Sequence, residues 1–206
     1  MEVKVKICGI KRIEDALLCA ELGADFIGLN FWEKSPRYVE LKEAEKIIQA
    51  VKAKIEVVGV FVNPQLEQVK KLRDELGLDW VQLHGDESPE FCKKLGGKII
   101  KALRLSQQKD LELIAHYENV LWLVDSKTEK YGGSGKSPDW LLAKKAKERA
   151  GRIILAGGLN PDNIEKAIGE VEPWAVDVAS GVESAPGIKD PKKLKKFFEA
   201  VKNATR

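Results

Sequence analysis

Glu21-Leu22-Gly23-Ala24-Asp25-Phe26-Ile27-Gly28-Leu29 returns further along the chain as Glu75-Leu76-Gly77-Leu78-Asp79-Trp80-Val81-Gln82-Leu83. Each copy reads as the last turn of a helix, a glycine that ends it, an aspartate, and an aromatic-then-aliphatic strand. Between the copies lie residues 41–51, with apolar positions at helical spacing, and the buried-strand run Glu56-Val57-Val58-Gly59-Val60-Phe61-Val62. The repeat is thus two strand–helix units long, as expected of a barrel built from pairs of units.

The same alternation extends outward in both directions. Lys4-Val5-Lys6-Ile7-Cys8-Gly9-Ile10 alternates polar and apolar residues as a strand does, and 13–22 follows as a helix. Asn63 as cap and Pro64 at the first position predict a helix over 64–76. Ser88 predicts a cap for a helix over 89–95; strands follow at 98–105 and 120–125, with a helix at 111–117 between them. Beyond them come a helix at 138–149, a strand at 152–157, a helix opened by Asn160-Pro161, a strand at 175–180 and a helix at 191–202. Strands that alternate with helices imply a parallel sheet. Open doubly wound sheets usually have five or six strands; eight predict a (β/α)8 TIM barrel, one domain over residues 1–206.

Composition excludes several classes of partner. A net charge of +3, from 35 basic and 32 acidic residues dispersed among one another, gives no electrostatic case for nucleic acid. No apolar run reaches the length of a membrane span and no secretory signal opens the chain, so the expected location is cytoplasmic. Cys8, Cys19 and Cys92 form an odd set without CxxC spacing, which argues against disulfides and a zinc site. Cys19, on a helix, reads as a packing residue.

In such a barrel, polar side chains at the carboxyl ends of strands are the informative ones. They are Cys8, Asn30, Gln82, His84, Asp125, Asp177 and Ser180, with Arg37 on the loop after the second strand. Each has a plain alternative: a rim histidine, a turn-capping aspartate, a surface arginine. Gathered at one end, they make a site the better explanation. Gly157-Gly158 after the seventh strand and Ser180-Gly181 after the eighth read as phosphate grips, since this fold binds phosphate on those two loops. Gly132-Gly133-Ser134-Gly135-Lys136-Ser137 is not a P-loop, because Lys130 stands where the first glycine belongs. The loop over 126–137 reads instead as a lid hinged on its glycines, or as a plain surface loop.

These motifs together resemble the phosphoribosylanthranilate isomerase family. The resemblance rests on Lys6-Ile7-Cys8-Gly9-Ile10, Phe31 to Tyr38, Gly59 to Asn63, Gln82-Leu83-His84-Gly85-Asp86-Glu87, Asp125 with Tyr131 to Lys136, Leu155 to Pro161, and Val176 to Glu183. It covers nearly the whole chain in order. It implies a cofactor-free and metal-free Amadori rearrangement of N-(5′-phosphoribosyl)anthranilate in tryptophan biosynthesis, by a monomer or homodimer. By the same resemblance Cys8 is the general base, Asp125 the general acid, Arg37 the holder of the anthranilate carboxylate, and the glycine loops the holders of phosphate. Gln82, His84 and Asp177 are expected to touch the sugar phosphate.

The chemistry makes its own demands. An acid must protonate the furanose ring oxygen, and a base must take the C2′ proton from the resulting iminium. A free thiol titrates near ~8.5 and a free aspartic acid near ~3.9, so each group mostly holds the wrong form at neutral pH. Three other readings compete, one of them an indole-glycerol-phosphate synthase, which should carry a strand-end set rich in Lys and Glu. A ribulose-phosphate epimerase needs metal-binding histidines, but only His84 and His116 are present. A non-catalytic sensor would not need both Cys8 and Asp125.

Overall fold

The eight strands close in chain order, each parallel to both neighbours, and the last returns to the first. In the computed structural model, which describes residues 2–126 and 140–205, they are β1 (Lys4–Cys8), β2 (Phe26–Asn30), β3 (Glu56–Phe61), β4 (Trp80–Leu83), β5 (Ile99–Leu105), β6 (Val120–Ser126), β7 (Ile153–Leu155) and β8 (Ala175–Val178). The helices between and after them are α1 (Ile13–Glu21), α2 (Leu41–Val51), α3 (Leu66–Leu76), α4 (Pro89–Leu95), α5 (Trp140–Ala150), α6 (Ile164–Val171) and α7 (Pro191–Ala204). A small hairpin, β9 (Glu183–Ala185) with β10 (Ile188–Lys189), follows β8. The expected (β/α)8 barrel is the observed fold.

Alternation along each strand divides the core in two. Inward residues such as Phe26, Val58, Ile100, Leu123 and Ile154 fill the barrel, while Ile7, Ile27, Leu83 and Val176 pack outward against Ala44, Ile47, Leu194 and Phe197 of the helices. The amino-terminal mouth is closed by aromatic rings. Phe26 stands edge-on to Trp80 and 5.9 Å from Trp174, with Lys4 Nζ 5.6 Å above Phe26.

Local signals held where a side chain satisfies a helix end. Ser88 Oγ accepts from Phe91 N–H, and Asp190 accepts from Lys192 and Lys193 ahead of α7. Three expectations need correction. Asn63 does not cap α3, which starts at Leu66 behind Gln65. Its N–H is taken by Glu87 and its amide oxygen by Asp86 N–H, so it ties two loops together. Residues 108–116 wind as a 3₁₀ helix, with Asp110 gathering the N–H groups of Ser106 and Gln107 into a tight first turn. The helix expected from Asn160 begins only at Ile164. Asn160 and Asn163 hold the intervening loop, accepting from Asp162 and Asn160 N–H respectively.

Candidate active site

At the carboxyl-terminal mouth one cavity is lined by Cys8, Arg37, Gln82, His84, Asp125, Gly157, Gly158, Asp177 and Ser180, along with Asn30. Ten of the eleven candidate residues therefore converge from six strands or strand-end loops. Gly181 does not line the cavity. A Cβ there would lie 2.0 Å from the Leu159 carbonyl oxygen, so this glycine lets the loop after β8 close onto the loop after β7.

Cys8 lies above a buried charge pair. Lys6, one pleat deeper on the same inward face of β1, is fully buried and donates to Asp177 Oδ1 at 2.9 Å. Its positive charge also acts on the Cys8 thiol. Burial works against the Lys6 charge, yet Asp177 and Cys8 hold it above the ordinary lysine range. For Cys8, burial pushes the thiol up; Lys6 pulls it down and Asp177 pushes it up again, and the net effect is upward. All three side chains fit because β2 offers no side chain opposite: a Cβ on Gly28 would sit 2.9 Å from Cys8 Sγ and 3.2 Å from Lys6 Nζ. Asp177, expected to meet ribose hydroxyls or cap a turn, has Lys6 as its partner. The other thiols are buried packing residues, Cys19 pushed up to about 12 chiefly by burial.

Across the mouth stands a second group. Gln82 Nε2 is 3.0 Å from His84 Nδ1, and His84 Nε2 is 3.6 Å from Asp125 Oδ2. With the Gln82 amide donating to Nδ1, the imidazole proton lies on Nε2 and faces Asp125. Gln82 Oε1 is buried in the cavity wall without a partner among the described residues, an acceptor open to a ligand. The rim beneath His84 is fixed by Lys101, whose ammonium reaches Gly85 O at 2.7 Å and Glu87 at 3.0 Å, and by Arg104, which donates to His84 O.

Arg37 is tied down on one edge. Its Nε and Nη2 reach the two oxygens of Glu183 at 2.9 and 2.7 Å. Gly157 and Gly158 both hold left-handed backbone, with φ of 87° and 63°, and the Gly158 carbonyl is held by Asn160 and Asn163. Ser180 opens a short 3₁₀ turn beside them. The expected lid and the Tyr131–Lys136 motif lie outside the described residues. Sequence reasoning passed over Glu183 and Lys189 as site residues; the sole signal was the glutamate closing the Ser180-Gly181-Val182-Glu183 run.

Residues 5–200 match the family model described as N-(5′-phosphoribosyl)anthranilate (PRA) isomerase. The N-(5′-phosphoribosyl)anthranilate isomerase of Geotalea uraniireducens is 48% identical over 97% of this chain and 98% of its own. That of Thermotoga neapolitana is 46% identical over 97% and 98%. The crystal structure of the Thermotoga maritima phosphoribosylanthranilate isomerase superposes with a TM-score of 0.92 at 41% identity, covering 98% of this chain and 99% of that one. Another such isomerase, at TM-score 0.88 and 39% identity over 98% and 99% of the two chains, was solved with reduced 1-(o-carboxyphenylamino)-1-deoxyribulose 5-phosphate.

Proposed function

The chain belongs to the phosphoribosylanthranilate isomerase family, and from that premise we propose that it rearranges N-(5′-phosphoribosyl)anthranilate to 1-(2-carboxyphenylamino)-1-deoxyribulose 5-phosphate in tryptophan biosynthesis, with Cys8 as base and Asp125 as acid. The observation that carries this reading is that a thiol and a carboxylate line one cavity from β1 and β6, three strands apart around the barrel.

Asp125 gives its proton to the furanose ring oxygen, the C1′–O bond breaks, and the anthranilate nitrogen becomes an iminium. His84, beside Asp125, supports the carboxylate that this leaves behind. Cys8, as thiolate, then removes the C2′ proton, and the electrons flow into the iminium to give an enolamine. Protonation at C1′ with loss of the C2′ hydroxyl proton yields the ketone, so one proton leaves carbon and one returns, and the hydroxyl proton makes good the one given to the ring oxygen. The iminium is a strong electron sink, and a moderate base suffices. An ordinary thiol is only a few per cent ionised at neutral pH; Cys8 holds less thiolate than that, and Lys6 stabilises the fraction present. Acid and base help of this kind contributes ~10²–10⁴-fold each.

Arg37 holds the anthranilate carboxylate through the guanidinium edge that Glu183 leaves open. Gly157, Gly158 and Ser180 hold the phosphate by backbone N–H groups, and Gln82 Oε1 accepts from the substrate. The test is rescue of a tryptophan auxotroph lacking this step. The parent gene is expected to restore growth, and a well-folded parent protein that does not restore it overturns the proposal.

A further inference from the structure

Glu183 is almost wholly buried and is held from two sides. Arg37 donates to both of its oxygens, and Lys189 Nζ, fully buried, donates to Oε1 at 2.9 Å. The same ammonium donates to Cys8 O at 2.6 Å and to Ala179 O at 3.2 Å. One charged bridge on the β9–β10 hairpin thus joins the arginine, the backbone of the proposed base and the loop of the proposed phosphate grip.

Within this bridge the charges do not cancel. Nearby, Lys6 is matched by Asp177, and Arg12 by Asp15 and the exposed Glu14. Arg37 and Lys189, by contrast, share the single carboxylate of Glu183, which leaves one positive charge over. Of the three, Arg37 alone lines the cavity. Glu183 occupies the Nε–Nη2 edge of the guanidinium, so the Nη1–Nη2 edge is the one a ligand can meet.

We propose that Glu183, held by Lys189, is a positioning residue: it fixes the Arg37 fork so that its open edge and the surplus positive charge select a substrate bearing a carboxylate. This rests on the reading of Arg37 as the carboxylate holder. An arginine on a loop after Pro36 would otherwise sample many rotamers, and aim would be lost.

The test is calorimetric binding of two ligands to the full chain: reduced 1-(o-carboxyphenylamino)-1-deoxyribulose 5-phosphate, and the same compound without the carboxyl group. The informative variant is Glu183→Gln with Lys189→Met. It removes one charge of each sign, so the surplus charge stays while the aim is lost. The parent's preference for the carboxylated ligand is expected to fall about tenfold or more in this variant, the scale of a misplaced charge-assisted hydrogen bond. Loss of the carboxyl-free ligand's affinity by the same factor, or an unchanged preference, overturns the proposal. Glu183→Asp keeps every charge and withdraws the carboxylate by one methylene; it guards against a misfolded double variant and is expected to lose part of the preference. A folded Glu183→Asp protein with the full preference also overturns the proposal. Arg37→Met separates the two readings. If it abolishes the preference while the Glu183 variants do not, only the positioning role fails; if it leaves the preference intact, the carboxylate reading of Arg37 fails as well.

Discussion

The Lys6 ammonium, fully buried, lies 2.9 Å from Asp177 Oδ1 and one pleat beneath Cys8. A cation next to a thiol is the usual means of making a thiolate. In this barrel it is opposed by burial and by the aspartate that neutralises it, and the thiol ends above its ordinary range.

Alkylation of Cys8 measured against pH is therefore expected to show a midpoint above the ordinary ~8.5 of a free thiol. Lys6→Met moves the midpoint higher still. The linkage has a definite sign: a raised thiol contributes stability that is complete below the unfolded value and is lost as pH rises through the folded one. Cys19 and Cys92 are buried and react only on unfolding. A midpoint below ~8.5 contradicts the stated balance.

Lys6→Met also strands Asp177 without its partner inside the barrel. Removal of one member of a buried ion pair costs about 3–5 kcal/mol. Urea denaturation monitored by tryptophan fluorescence reads the loss directly. A change under about 1 kcal/mol would mean that Asp177 finds another partner.

Gly28→Ala puts a methyl group 2.9 Å from Cys8 Sγ and 3.2 Å from Lys6 Nζ. Overpacking of this kind costs about 1–3 kcal/mol of stability. The displaced thiol loses more in rate, about 10²-fold in kcat/KM for a shift on the order of 1 Å. A fully active Gly28→Ala protein would show that Cys8 needs no such seat.

Glu183 gives the acid side. Burial alone would raise its carboxyl, but Arg37 and Lys189 hold it below the usual range. Stability from a depressed carboxylate is present above the unfolded value and is lost as pH falls through the folded one. The advantage of the parent over Glu183→Gln is expected to be full at neutral pH. It shrinks as pH falls below the ordinary ~4.3 of glutamate, in parallel urea titrations.

The barrel was legible because its signal is periodic. The Glu21–Leu29 pattern repeats at Glu75–Leu83, and alternation along each strand separates the inner residues from the outer ones. Strand-end polar residues were legible for the same reason, since the fold decides that they share a mouth. Contacts between distant loops were not. Nothing local in Ile188-Lys189 says that its ammonium will reach Cys8 O, and nothing near Asn63 says that Glu87 will claim its N–H in place of a capping role. The close approach of Gly181 to the Leu159 carbonyl was not legible either. Such pairings depend on how loops close after the barrel forms.

Cys8 as base and Asp125 as acid are the centre of the proposed reaction. Steady-state kinetics of purified Cys8→Ala and Asp125→Asn on N-(5′-phosphoribosyl)anthranilate test this most directly. Each is expected to lose ~10²–10⁴-fold in kcat, with KM changed by no more than a few fold. If either variant turns over within about tenfold of the parent, that residue does not carry the proton assigned to it.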